Sequence, residues 1–173
     1  DFGYRIFNAD GSEVNQCGNG ARCFARFVAE QGLLSQCADP TAIRVQTRAG
    51  TLVLRLQANG HVEVDMGVPN FTPEHIPFDP QHWVEKTDQT YDISSALADD
   101  PDLHLSGMAV NLGNPHFVLH VEDVQTAPVL TLGAQLESDL VHFPERVNVG
   151  FAQKIDAHTL KLRVFERGSG ETL

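Results

Sequence analysis

Asn15-Gln16-Cys17-Gly18-Asn19-Gly20-Ala21-Arg22 is the stretch from which the fold is read. Turn-forming residues and glycines flank Cys17, and an apolar pattern of helical spacing follows through Phe24, Phe27 and Val28. A helix over residues 17–31 is predicted, with Gly32 as its C-terminal cap. That order puts the Cys17 sulfur at a helix N-terminus, where unpaired backbone N–H groups and the helix dipole favour an anion. A cysteine so placed is more readily a thiolate, the form that acts as a base or nucleophile. The glycines leave room for close approach, so the same amides can hold a substrate carboxylate. The competing reading is a small buried apolar side chain, the usual role of a free cysteine.

Outward from this helix, the chain alternates short strand patterns with turns. Residues 4–8 read as a strand, followed by a turn at Ala9-Asp10-Gly11-Ser12. Residues 43–47, 51–57 and 62–66 read as three strands joined at Arg48-Ala49-Gly50 and Asn59-Gly60, the second a strong hairpin signal. Pro69, Pro73, Pro77 and Pro80 make residues 67–82 an extended connection, and residues 83–103 carry no decisive pattern. Residues 105–111 and 117–121 read as strands around a Gly113-Asn114-Pro115-His116 turn. Residues 129–137 form a weakly patterned helix, and residues 147–154 and 160–166 are strands. The mixture is α+β, with predominantly antiparallel neighbours because several connections are too short for crossovers.

An internal echo runs through the chain. Arg5-Ile6-Phe7-Asn8 recurs as Arg163-Val164-Phe165-Glu166, each followed at the same offset by a glutamate, Glu13 and Glu171. Gly67-Val68-Pro69-Asn70-Phe71 recurs as Gly113-Asn114-Pro115-His116-Phe117. Two such matches together point to a duplicated architecture.

Composition narrows the class of function. The 173 residues are 42% apolar and 20% charged, which suits one globular domain or parts of two small ones. A net charge of −11 makes nucleic acid an unsuitable partner, since that needs a basic stripe. Asp88, Asp92, Asp99, Asp100 and Asp102 crowd one stretch and read as a solvated surface. No apolar run is long enough for a membrane span, and no signal peptide is seen. Three cysteines, an odd number without framework spacing, suggest reduced thiols and a cytoplasmic setting. Both ends fall at strand-like runs, so the sequence reads as part of a longer polypeptide.

Among the remaining chemistry-bearing residues, Cys23 lies about 600° of helical rotation from Cys17 and reads as core packing, as does Cys37. No paired cysteines or histidine cluster have metal-ligand spacing, so no metal is expected. His116 is the best placed of eight histidines to hold a proton or orient a thiol. Glu166 and Arg167 precede the glycine-rich Gly168-Ser169-Gly170; they form either a surface pair or, through the planar fork of Arg167, a carboxylate clamp. The glycine-rich segments match neither a nucleophile elbow nor a nucleotide-binding loop.

These segments resemble diaminopimelate epimerase. The resemblance rests on Tyr4–Val14 with Gln16-Cys17-Gly18-Asn19-Gly20-Ala21-Arg22-Cys23, on Met66-Gly67-Val68-Pro69-Asn70-Phe71, and on Gly113-Asn114-Pro115-His116. It continues through Phe143-Pro144-Glu145-Arg146-Val147-Asn148-Val149-Gly150-Phe151 and Arg163-Val164-Phe165-Glu166-Arg167-Gly168-Ser169-Gly170-Glu171-Thr172. It implies cofactor-independent interconversion of LL- and meso-diaminopimelate, in lysine and peptidoglycan precursor synthesis, by a thiolate and a thiol on opposite faces of Cα. It implies two pseudo-symmetric α+β halves, each a largely antiparallel sheet wrapped around a central helix. Residues 1–66 would belong to the first half, residues 67–103 to a connection and variable segment, and residues 104–173 to the second half. By the same resemblance, Cys17 is the first catalytic cysteine, His116 its partner, and Glu166 the partner of the second cysteine. Asn8, Gly18, Asn19, Asn114, Asn148, Glu166 and Arg167 take the substrate-binding positions.

The family pattern carries its second cysteine beyond Glu171-Thr172, so the resemblance implies an epimerase as parent, a homodimer, and no inversion by these 173 residues alone. A related racemase, such as one acting on proline, shares the two-half architecture. A phenazine-biosynthesis-type isomerase has glutamate in place of Cys17. A cysteine hydrolase using Cys17 and His116, or a non-catalytic module binding a diacid, is the reading from a different class.

Overall fold

The structure is a computed structural model that describes residues 1–7, 11, 13–81, 84–85, 89–93 and 105–172. The chain divides into two compact units, Asp1–Val68 and Pro69–Leu173. Each is α+β, with one α-helix on a mostly antiparallel sheet.

In the first unit, β1 (Phe2–Gly3) pairs in parallel with β4 (Ile43–Thr47). Two antiparallel steps then add β5 (Gly50–Leu56) and β6 (Val62–Asp65). Between β1 and β4 lie a two-stranded ribbon, β2 (Ile6–Phe7) with β3 (Glu13–Val14), and the helix α1 (Gly18–Glu30). Ala21, Phe24, Ala25 and Val28 fall at i, i+3, i+4 and i+7, so one stripe of α1 is apolar. Ala21, Ala25 and Val28 are fully buried against Ile43, Val45, Leu52 and Leu54. Those four are cross-strand partners in two rows, Ile43 opposite Leu54 and Val45 opposite Leu52, which puts them on one sheet face. The helix ends at Gln31, and Gly32 then takes the left-handed conformation (φ 69°) that its lack of a Cβ permits.

The second unit is one seven-stranded sheet. In chain order its strands are β7 (Val84–Glu85), β8 (Thr90–Ile93), β9 (Leu105–Asn111), β10 (Pro115–His120), β11 (Asn148–Lys154), β12 (Leu160–Glu166) and β13 (Gly170–Thr172). They lie side by side in that order. All neighbours are antiparallel except β10 and β11, which are joined through α2 (Val129–Glu137). Val129, Leu132 and Leu136 of the helix meet Phe117, Leu119, Val149 and Phe151 of the sheet in one core. Phe78, Tyr91, Phe117 and Phe143 form an aromatic group within it, with Phe78 4.7 Å from Tyr91 and 5.3 Å from Phe143 between ring centroids.

Both units use a parallel pair bridged by a helix, and this is how the few parallel neighbours arise in a chain with short connections. The first match of the internal echo is real in space. Arg5 grips Glu13 through Nε and Nη2 at 2.9 and 3.0 Å, and Arg163 grips Glu171 through the same two nitrogens at 2.6 and 3.0 Å. In both hairpins the phenylalanine two residues after the arginine lies opposite the glutamate, Phe7 to Glu13 and Phe165 to Glu171.

The strands differ from expectation at three places. Of the strand read over residues 4–8, only Ile6–Phe7 is strand among the described residues, paired with β3, while Tyr4 continues the pairing of β1 with its N–H on Gln46 O at 2.9 Å and Asn8 lies outside the described residues. His116 lies in strand β10 rather than in a turn, since Pro115 already pairs with Asn111. The proline-rich connection is not wholly extended: it holds a 3-10 turn at Pro73–His75, and Ile76 and Phe78 are core residues. Residues 83–103, read as indecisive, are described only at 84–85 and 89–93.

Gly133 of α2 meets Phe165 of β12, where an added Cβ would lie 2.7 Å from Phe165 Cβ and 2.8 Å from its Cγ. Gly133→Ala should therefore destabilise by about 1–3 kcal/mol, although alanine is the better helix former. Thermal denaturation checks this. A melting temperature equal to or above that of the wild type would show that the helix can move off the strand.

Candidate active site

The first group of candidate residues lies at the start of α1. Cys17 is the N-cap residue, with extended backbone (φ −148°, ψ 111°), and its Sγ accepts the N–H of Gly20 at 3.3 Å. The Cys17 carbonyl accepts the Ala21 N–H at 2.9 Å, the first bond of the helix ladder. Sulfur thus fills the capping role usually taken by a hydroxyl or carboxylate oxygen. The amides of Gly18 and Asn19, also in the first turn, have no hydrogen-bond partner among the described residues. Cys17 is half-buried, and neighbouring Gln16 is buried with its amide 3.8 Å from Met66 Sδ.

The two glycines around this cap have different reasons. A Cβ at Gly18 would make ordinary contacts with Met66 Sδ and Cε at 3.5 and 3.6 Å. A Cβ at Gly20 would overlap the hydroxyl of Tyr4. Asn19 is exposed and its side-chain oxygen accepts from Arg22, so what it presents at the helix start is its backbone amide. Asn8, the remaining expected contact of this half, lies outside the described residues. Cys23 is exposed, not core: it falls off the buried stripe of Ala21, Ala25 and Val28. Cys37 is half-buried and packs at the edge of that core.

The second group lies at one end of the seven-stranded sheet. Parallel pairing of β10 with β11 sets His116 beside Asn148, and antiparallel pairing of β11 with β12 brings the strand end at Glu166 to the same edge. His116 Nε2 donates to Asn114 Oδ1 at 2.9 Å when the imidazole is neutral, leaving Nδ1 as the basic nitrogen. Burial, and then the charge of Arg167, hold the His116 pKa below the ordinary histidine value. Asn148 is buried and bridges the two segments: its Nδ2 donates to Pro115 O at 3.1 Å, and its Oδ1 accepts the Arg167 N–H at 3.0 Å. Arg167 donates through Nη1 to Glu145 O at 2.7 Å. The fold therefore gathers Asn114, His116, Asn148, Glu166 and Arg167 from three strands, while Cys17, Gly18 and Asn19 form a separate group in the first unit.

Glu137 and Arg146 were not singled out in the sequence. Glu137 is buried at the end of α2, and its Oε1 accepts from Arg146 Nη1 and from the Gly168 N–H, both at 3.2 Å. Arg146 itself has a left-handed backbone (φ 59°) beside Asn148. The signal was present: Glu137 continues the stripe of Val129, Leu132, Gly133 and Leu136. A carboxylate on a core stripe needs a hydrogen-bonding partner.

Arg167→Gln should raise the His116 pKa only part of the way to the ordinary value, since burial is the larger cause. Because the folded value is depressed, neutral His116 contributes stability above the ordinary histidine pKa, and that stability is lost as pH falls through the folded value. Titration of the imidazole C2–H resonance, assigned with His116→Gln, measures both. A wild-type midpoint at or above the ordinary value would contradict the burial.

The sequence model of the family described as "Diaminopimelate epimerase" matches residues 1–72 and 108–173. The chain is 52% identical over 175 residues to the diaminopimelate epimerase of Azoarcus sp. (strain BH72), and 53% identical over 173 residues to that of Acinetobacter baylyi. Each alignment covers 100% of this chain and 57% of the relative, so the chain spans little more than half the length of those proteins. Among solved structures, a Bacillus anthracis phenazine biosynthesis protein of the PhzF family shares the fold, with a TM-score of 0.51 and 17% identity over 98% of this chain and 56% of that one. The chain belongs to the diaminopimelate epimerase family.

Proposed function

We propose that the protein containing this chain interconverts LL- and meso-diaminopimelate, without a cofactor, by moving a proton at Cα between two cysteine sulfurs. The reading is carried by one observation, the Cys17 sulfur capping the first turn of α1, together with the resemblance that gives Cys17 the place of the family's first catalytic cysteine. Cys17 as thiolate takes the Cα proton, the C–H pair of electrons stays on carbon, and a second thiol returns a proton on the opposite face.

The difficulty of this reaction is acidity, because an amino-acid α-proton is far less acidic than a thiol. Fixed donors around the substrate carboxylate offset that difference by stabilising the carbanion. In this reading the Gly18 and Asn19 amides and the Arg167 guanidinium supply those donors. His116, held neutral by burial and Arg167, serves as a proton acceptor and orienting group, with Asn114 fixing its tautomer. Glu166 partners the second cysteine, and Asn148 orders the turns on either side. Asn8 completes the substrate contacts. No residue of these 173 matches the second cysteine, so on their own they do not invert Cα. A homodimer in the cytoplasm is the proposed setting; the described residues contain no helix long and apolar enough to cross a membrane.

The test is α-proton exchange in D2O by the protein of full family length, followed by NMR and chiral chromatography. Inversion should proceed with uptake of one deuterium at Cα. Cys17→Ala should lower the rate at least ~1,000-fold, as loss of a general base does, while proline is left unchanged. Turnover of an activated ester with accumulation of an acyl-enzyme, and no Cα exchange, would replace this reading with a hydrolase.

A further inference from the structure

Tyr4, Gly20 and Cys17 converge on one point at the start of α1. Tyr4 continues the parallel pairing of β1, its backbone N–H donating to Gln46 O at 2.9 Å. Its ring packs on Phe24 of α1, 5.0 Å between centroids at 33°, and Phe24 also meets Phe2 edge-on at 5.8 Å. So fixed, the Tyr4 hydroxyl rests directly against Gly20, in the space a Cβ there would take. Cys17 Sγ lies 3.5 Å from that same point, and Gly20 is the residue whose amide the sulfur accepts. The hydroxyl makes no hydrogen bond to the sulfur among the described residues; we propose that Tyr4 is a positioning residue for Cys17, its hydroxyl, standing over the first turn of α1, donating to the sulfur once the thiol ionises and so holding it at the helix N-terminus.

The inference rests on the reading of Cys17 as the proton-transferring sulfur and gives Gly20 a reason that the anion cradle does not. A phenol suits the task because it stays protonated. Burial, then negative charge on Cys17 and Cys23, raise the Tyr4 pKa, so it remains a neutral donor beside a thiolate. Several other charged groups on the neighbouring elements have partners of their own. Arg22 is turned to Asn19, Arg5 and Arg48 to Glu13, and Arg55 to Glu63, while the Asp65 carboxylate accepts the Gly67 N–H. No enzyme of the family's reaction needs to be active for this arrangement to be measured.

Iodoacetamide labelling of the folded chain, read by mass spectrometry, follows each cysteine separately, because cleavage after Arg5, Arg22 and Arg26 puts Cys17 and Cys23 on different tryptic peptides. Tyr4→Phe should slow labelling of Cys17 at pH 7 by about fivefold, the value of one hydrogen bond, with Cys23 unchanged within about twofold. Gly20→Ala should slow Cys17 similarly when Tyr4 is present, because its methyl displaces the hydroxyl. In Tyr4→Phe the same substitution should add nothing, since the ring carbon that bore the hydroxyl is 3.5 Å from the new methyl. Cys17→Ser should lower the Tyr4 titration midpoint, seen by NMR of Cζ-labelled tyrosine with Tyr91→Phe for assignment. The proposal is overturned if Cys17 labels as fast or faster in Tyr4→Phe, if Gly20→Ala acts equally with Phe at position 4, or if Cys17→Ser leaves the Tyr4 midpoint in place. Failure of epimerisation in the full-length protein would leave all three readouts intact, so the two ideas fail separately.

Discussion

A single hydrogen bond, from the Gly20 amide to the Cys17 sulfur, organises the first unit. It follows the extended backbone of Cys17 and begins α1, and it leaves the Gly18 and Asn19 amides directed out of the helix. The buried stripe of Ala21, Ala25 and Val28 then fixes α1 on the sheet, so the sulfur is held by the same packing that makes the core. Small residues at 21 and 25 keep the helix close to Ile43, Val45, Leu52 and Leu54. Reactive group and scaffold are thus one element, and a shift of the helix would carry the sulfur with it.

The second unit uses buried polar side chains for the same end. Its candidate residues come from strands far apart in sequence, and sheet register alone brings His116, Asn148 and Glu166 to one edge. Asn148 ties the backbone at Pro115 to that at Arg167, and Glu137 ties Gly168 to Arg146. Each is buried with its hydrogen bonds made, which is the condition under which a polar group in a core rigidifies rather than destabilises. Truncating either would take their present partners from backbone amides at Arg167 or Gly168, beside Glu166.

What was legible in the sequence was what local patterns determine. The limits of α1, its cap at Cys17 and its stop at Gly32 follow from residues within one turn of each end. The strand limits around residues 43–66 followed from alternation and from turn residues. The echo of Arg5 and Glu13 in Arg163 and Glu171 also survived, since one hairpin register with one bidentate ion pair reproduces the spacing. Pairing with distant partners was not legible. Nothing near Tyr4 signals that Phe2–Gly3 pairs with β4 while Ile6–Phe7 pairs with β3, and nothing near His116 signals that its strand begins one residue earlier. Cys23 was misplaced because rotation from Cys17 says only that the two differ in direction, not which one faces the core. The structural uses of Asn148, Glu137 and Tyr4 depend on neighbours dozens of residues away or on sub-ångström clearance, and neither is written in residue spacing.

The account stands on the sulfur of Cys17 being the acceptor for the first turn of α1. The measurement that meets it most directly is the backbone amide spectrum of the 15N-labelled chain as pH is raised through ionisation of its thiols. If the sulfur caps the helix, the Gly20 N–H should move downfield more than any other amide of α1 as its acceptor gains charge, and Cys17→Ala should abolish the movement. A Gly20 amide that stays still while Cys17 ionises, or that moves equally in the alanine variant, would contradict the account.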